Sequence, residues 1–240
     1  MPQTIANPPL MSDVPQEALE QNVRRVLDTL SQSRYGSQEP AKLIAVTKTV
    51  DAQVINRLKP LGVMDIGENR AQVALPKLVK ISPDFRLHWI GRLQTNKVKG
   101  IIDHVCMLHT LDRMELAQEV DRRAGQRGRV LPALVQVNIA GEVQKGGLAP
   151  EELMGFLREM KSFHQISIEG LMAIMPLGAP EEELTRLFKG MRTLFEQVRA
   201  EAMEHVHMNE LSMGMSNDYA IAAREGATMV RIGTALYRRG

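Results

Sequence analysis

The sequence predicts an α/β protein folded as a single (β/α)8 TIM barrel with an additional N-terminal helix. Three observations carry this expectation. Short apolar runs alternate with longer helical patterns eight times, the signature of a parallel sheet with crossover helices. No Pro/Gly/Ser-rich linker divides the series into two units. No GxGxxG follows the first apolar run, which argues against the alternative, an open doubly wound sheet.

The additional helix comes first. Over residues 15–32, Leu19, Val23, Val26, Leu27 and Leu30 trace one helical face. Ser12 or Asp13 is the expected cap, with Pro15 in the first turn. Residues 1–14 lack the charged start and apolar run of a secretory signal and the arginines of a transit peptide. They are expected to form a flexible leader, with Met11 as an alternative start, and residues 15–240 to form one domain.

Strands are expected at Lys42–Thr49, Met64–Asn69, Phe85–Gly91, His104–Leu111, Val130–Ile139, Ile166–Met175, Glu210–Gly214 and Thr228–Leu236. Between them, Pro150–Phe163 places Leu153, Phe156, Leu157 and Met160 on one helical face. The longest pattern, from Pro180 to about Glu204, repeats Leu184, Leu187, Phe188, Met191, Leu194, Phe195 and Val198 at helical spacing. Its acidic start, Glu181–Glu183, suits the positive end of a helix dipole.

Composition narrows the function classes. The 240 residues include 30 basic and 28 acidic side chains, a net charge of +2, which offers no general nucleic-acid surface. No window approaches the roughly 20 apolar residues that span a bilayer, so a soluble, cytoplasmic protein without membrane contact is expected. Cys106 is the one cysteine; it cannot form an intramolecular disulfide, and no Cys/His cluster offers a metal site.

In such a barrel, ligands are held at the carboxyl ends of the strands, with phosphate often at the loops after the seventh and eighth. The rule selects Lys48 in LIAVTKT, Glu68 and Asn69 in IGENR, and the segments LSMGMS and RIGT. Lys48 follows an apolar run, so its amine is expected in a poorly solvated mouth where the charged form is disfavoured and Schiff-base chemistry is open to it. A lysine that merely reaches water at a strand end is the plainer reading. In ELSMGMSND, Ser212 and Ser216 offer hydroxyls and Gly214 permits close backbone approach. Gly233 and Thr234 can close on the same anion. Alternatively, Ser216 only caps the next helix and Gly233 only turns the chain. Strand alternation puts Arg231 on the same face as Gly233. That arginine either pairs with an interior carboxylate, Glu68 or Glu210, or contacts the ligand.

Other groups carry less. His205 and His207 share no helical face, and His88, His104, His109 and His164 are scattered in sequence, as core or surface histidines are. Arg122, Arg123, Arg127 and Arg129 suit a solvated helix end, and the 15 methionines suit core filling.

Taken together, LIAVTKT, IGENRAQ, LHWIGRLQTNK, GLMAIMP and LSMGMSNDYAIAAREGATMVRIGTALY resemble the pyridoxal-phosphate homeostasis protein family, itself similar to the barrel half of bacterial alanine racemase. The resemblance runs from about Lys42 to Tyr237. It implies a single-domain barrel that binds pyridoxal 5′-phosphate (PLP) without established turnover and takes part in vitamin B6 and amino-acid homeostasis. It further implies Lys48 as the Schiff-base partner and Asn69 beside the cofactor. Ser212, Ser216, Gly233 and Thr234 would hold the phosphate, and Arg231 would approach the pyridine nitrogen. Arg92 and Val73 depart from the family's usual His and Glu, at positions that carry no expected cofactor contact.

Physical argument points the same way. An arginine facing the ring nitrogen disfavours its protonation and weakens the ring as an electron sink. The racemase works in spite of this with a tyrosine from another domain and subunit, whereas the barrel occupies this chain and its tyrosines are Tyr35, Tyr219 and Tyr237. The expected protein is a monomeric, non-catalytic carrier with PLP-dependent apoenzymes as possible recipients. The alternatives are a PLP-dependent amino-acid racemase or lyase and a cofactor-free Schiff-base aldolase.

Overall fold

Each apolar run becomes one stave of a closed parallel barrel. In the computed structural model, which describes residues 10–142 and 144–239, eight described strands pair in chain order. They are β1 (Lys42–Val46), β2 (Asp65–Glu68), β3 (Arg86–Trp89), β4 (Val105–Leu111), β5 (Leu131–Gln136), β6 (Ile166–Met172), β7 (Val206–Ser212) and β8 (Met229–Ile232), with β8 returning to β1. Both faces of β2 and β8 are buried, as expected of strands enclosed between a filled interior and a helical coat. The coat is formed by α1 (Gln16–Gln32), α2 (Ala52–Asn56), α3 (Ala71–Leu78), α4 (Val98–Ile101), α5 (Met114–Gly125), α6 (Leu153–Glu159), α7 (Glu181–Ala200), α8 (Tyr219–Arg224) and α9 (Thr234–Tyr237). The (β/α)8 architecture and the additional first helix are therefore as predicted.

Helix α7 buries Leu184, Leu187, Phe188, Met191, Phe195 and Val198, with Leu194 half-buried at the edge of the same face. In α1, Leu27 is exposed and Asn22 takes a place on the buried face. Asn22 Nδ2 donates to Leu236 O at 3.1 Å and Arg238 O at 3.0 Å, tying the first helix to the end of the barrel. A polar residue inside an apolar stripe is sustained by those two carbonyls.

Several boundaries differ from the sequence reading. No side chain caps α1: Pro15 occupies the N-cap position and Asp13 pairs instead with Arg239. Strand β7 begins at Val206, ahead of the predicted Glu210, its first residues alternating between the inward Val206 and Met208 and the exposed His207 and Asn209. The predicted eighth strand stops at Ile232, and Thr234 to Tyr237 turn into α9. Residues 1–9 of the expected leader lie outside the described residues. Its remainder is held to the barrel, with Met11 N donating to Thr49 O at 2.8 Å and Val14 buried.

Gly170 marks the tightest strand contact. Its φ is +151°, and a Cβ there would lie 1.8 Å from Glu210 O on the neighbouring strand, at a register shift between β6 and β7. Only a residue without a side chain permits this approach. Among the described residues, no helix is long and apolar enough to cross a membrane, and no group of three or more His, Cys, Asp or Glu is placed to hold a metal ion.

Candidate functional site

The carboxyl ends of the strands converge on one cleft, and its first wall is the turn after β1. Lys77 reaches into that turn from α3. Its Nζ donates to Thr47 O at 2.8 Å, to Val50 O at 3.3 Å and to Glu68 Oε1 at 2.5 Å. Thr47 Oγ1 donates to the same carboxylate oxygen at 2.6 Å. The side chains of Lys77 and Glu68 are 6% and 2% exposed, so this is a buried ion pair whose amine is held by the backbone on either side of Lys48, while Glu68 Oε2 has no protein partner. The strand-end carboxylate Glu68 thus shapes the turn that presents the lysine.

Lys48 itself is exposed. The poorly solvated amine expected from the apolar run is not found, because the run ends at Thr47 and the lysine side chain leaves the barrel at its open mouth. Two cavities of about 390 and 380 Å³ meet there, and both are lined by Val46, Lys48, Met215 and Arg231. The first extends under the loops after β7 and β8, past Ser216, Gly233 and Thr234. The second extends over β2 to β5, past Asn69, Arg92, Thr110 and Gln136. The Oδ1 atom of Asn69 is buried without a protein partner, an acceptor left for a ligand or water.

The two phosphate-type loops are joined to each other. Ala235 N donates to Ser216 Oγ at 3.2 Å, and Arg231 N donates to Gly214 O at 3.0 Å. Ser216 therefore does not cap α8; Asp218 holds the N-cap position and its Oδ1 accepts from Met215 N at 2.5 Å. Gly214 has a φ of +94°, and a Cβ there would lie 2.6 Å from the Ala222 Cβ, so the loop is drawn down onto α8. Burial raises the Asp218 carboxyl above its ordinary value, with Arg231 acting in the opposite direction.

Arg231 forms the floor shared by both cavities. It is buried, and burial pushes its guanidinium down to about 10. Neither interior carboxylate considered from sequence is its partner. Glu68 is taken by Lys77, and Glu210 by Lys42 and the Thr228 hydroxyl. Instead, Arg231 Nη1 donates to Ser212 Oγ at 2.6 Å and Nη2 to Ala173 O at 2.8 Å. Ser212 is wholly buried behind that arginine and lines neither cavity. As the last residue of β7 it points inward, whereas Ser216 sits on the loop.

The structure thus brings Lys48, Asn69, Ser216, Arg231, Gly233 and Thr234 to one cleft and leaves Ser212 beneath it. Lys77 and Lys145 went unread in the sequence. Lys145, on the second cavity, pairs with Glu142 and donates to Met175 O at 2.9 Å. Neither lies at a strand end, and no local pattern marks them. Cations at Lys48, Arg92, Lys145, Arg231 and Arg238 outnumber the carboxylate of Asp218 around the two cavities, a balance suited to an anionic ligand.

The family model for the alanine racemase N-terminal domain matches residues 14–239. The pyridoxal phosphate homeostasis protein of Aquifex aeolicus is 38% identical over 221 residues, covering 90% of this chain and 96% of that protein. The chain belongs to the pyridoxal phosphate homeostasis protein family. A second member, from Pasteurella multocida, is 32% identical over 228 residues, covering 91% and 96% of the two chains. PipY of Synechococcus elongatus PCC7942, solved with PLP bound, superposes with a TM-score of 0.82 at 33% identity, over 92% of this chain and all (100%) of that one. Alanine racemase of Clostridium difficile 630 shares the fold, with a TM-score of 0.71 at 17% identity over 92% of this chain and 57% of the racemase.

Proposed function

We propose that this protein holds PLP covalently on Lys48 and serves vitamin B6 homeostasis as a non-catalytic carrier. The observation that carries the reading is that Lys48 and Arg231 are the charged groups shared by the two cavities. A planar, anionic aldehyde can thus meet an amine and a guanidinium at once. The donor set fits the cofactor. Ser216, Gly233 and Thr234 would receive the phosphate under the β7 and β8 loops, and Asn69 offers a buried, unpartnered acceptor on the other side. Ser212 supports Arg231 from behind.

Bound PLP supplies an aldehyde with which an amine condenses. The residues of this chain do the rest: Lys77 and Glu68 hold the turn that presents the Lys48 amine, and Arg231 keeps positive charge where the ring nitrogen would lie. A cation there opposes protonation of that nitrogen and keeps the ring a weak electron sink. Kinship with homeostasis proteins, PLP-bound PipY among the related structures, supports storage and delivery over turnover. Recipient apoenzymes and a monomeric carrier complete the proposal.

Purified protein mixed with PLP should show a visible absorption band. Borohydride should then fix one adduct that peptide mapping assigns to Lys48, and Lys48→Ala should lose the band. An adduct on another lysine, or none, overturns the proposal. Deuterium washing from solvent into the α-carbon of an amino acid, at a rate dependent on Lys48, would establish a racemase or lyase instead.

A further inference from the structure

The barrel interior contains a series of polar groups to which cofactor binding assigns no task. Arg86, at the start of β3, donates from Nε and Nη2 to the two oxygens of Asp65 at 2.8 and 2.5 Å. His88 Nε2 lies 2.8 Å from Asp65 Oδ1, His88 Nδ1 lies 2.9 Å from His109 Nε2, and His109 Nδ1 lies 3.0 Å from Ser212 Oγ. Arg231 Nη1 then donates to Ser212 Oγ at 2.6 Å. Asp65, His88, His109, Ser212 and Arg231 are all buried, and Arg86 is the member that reaches water. The series connects the amino-terminal end of the barrel to the floor of the cleft.

Donor and acceptor chemistry gives it one direction. Hydrogen bonds from Arg86 and His88 outweigh burial and hold the Asp65 carboxyl well below its ordinary value. Asp65 is thus an acceptor, and the facing His88 Nε2 carries a proton. In a neutral imidazole Nδ1 is then an acceptor, which only the His109 Nε2 proton can satisfy. His109 Nδ1 in turn accepts from the Ser212 hydroxyl, whose oxygen accepts from Arg231. Every bond is satisfied, and each points from Arg231 toward Asp65.

An added proton on the histidine pair would reverse two of these bonds. It would also place a new cation between Arg86 and Arg231, in a buried site. Burial, then His88 and Arg231, push His109 well below the usual histidine range. The other ionisable groups acting on this interior are Lys42 from β1, Cys106 from β4, held as a thiol by burial, and Asp218 from the loop after β7.

We propose that Asp65, His88, His109 and Ser212 are positioning residues, a one-directional hydrogen-bond chain that orients Arg231 and couples the charge at the far end of the barrel to the ligand in the cleft. The coupling rests on the reading that Arg231 faces the ring of bound PLP. A guanidinium locked as a donor on two sides, to Ser212 and to Ala173 O, offers its remaining N–H groups to the cavity in a fixed orientation.

Nitrogen NMR of isotope-labelled histidines tests the chain in the protein without cofactor. His109 should be a neutral Nε2–H tautomer between about pH 7 and 8.5, with its Nδ1 accepting from Ser212. A His109 Nδ1–H tautomer, or a His109 imidazolium in that range, overturns the proposal. Adding PLP should shift His109 Nδ1 and, less strongly, His88. Ser212→Ala should abolish that response, and Ser212→Thr, which keeps the hydroxyl, should restore it. In loaded Asp65→Asn, nearly isosteric but uncharged, Arg86 loses its counter-ion, so the pH midpoint of the visible band should fall by about one unit. A response retained in Ser212→Ala, or an unmoved midpoint in Asp65→Asn, refutes the coupling. Absence of any PLP uptake by the unaltered protein would instead refute the proposed function, while the tautomer measurement still judges the chain.

Discussion

Replacing Lys77 by methionine keeps an unbranched side chain one atom shorter and removes the charge that Glu68 faces. The carboxylate is then left in a site that is almost closed to water, with the Thr47 hydroxyl as its remaining partner. Breaking one side of a buried ion pair costs about 3–5 kcal/mol, because the other charge stays uncompensated. The loss of Lys77 bonds to Thr47 O and Val50 O puts Lys77→Met in the upper part of that range. For a domain of this size, such a loss lowers Tm by roughly 10 °C. Urea unfolding is the direct assay, read by the fluorescence of Trp89, the one tryptophan in the sequence, with a falling midpoint at unchanged slope as the expected result. Glu68→Gln in the same background should recover part of the loss, since an amide needs no counter-ion, and a double-mutant cycle measures the coupling. A loss below about 1 kcal/mol would refute the reasoning, since a buried unpaired carboxylate cannot be that cheap. The turn that carries Lys48 would also be released, so imine formation with added PLP should slow.

Three further outcomes follow from the same structure. Gly170→Ala should fail to give folded protein, or lose more than about 4 kcal/mol, because its Cβ would overlap Glu210 O; solubility and circular dichroism report it. Gly214→Ala strains a residue at φ +94° and drives a Cβ into Ala222, so a loss of about 2–3 kcal/mol is expected, with weaker retention of phosphate-bearing ligands in equilibrium dialysis. His109 stays neutral in the folded barrel, whereas the unfolded chain protonates it below about pH 6.5. Its contribution is therefore complete above that pH and is lost below it at about 1.4 kcal/mol per unit until the folded pKa is reached. Denaturation at a series of pH values should show this slope reduced by one proton in His109→Gln.

The order and number of the strands, the enclosing helices and the lysine, asparagine and loop residues at the cleft were legible in the linear chain. Apolar periodicity is a local property, and the carboxyl end of a barrel strand is a position along the chain, so Lys48, Asn69, Ser216, Gly233 and Thr234 could be selected without any tertiary contact. Which side chains meet inside the barrel depends on strand tilt and on register shifts such as that between Leu87 and His88, and local periodicity carries neither. That is why the sequence groups Ser212 with the phosphate loops and places His88 and His109 only as core or surface histidines, without joining them. His109 meets His88 across 21 residues of chain and Ser212 across 103. Lys77 likewise reaches back 30 residues to Thr47. The closed barrel turned these distant residues into neighbours and decided that Lys48 stands in solvent while Arg231 lies buried beneath it.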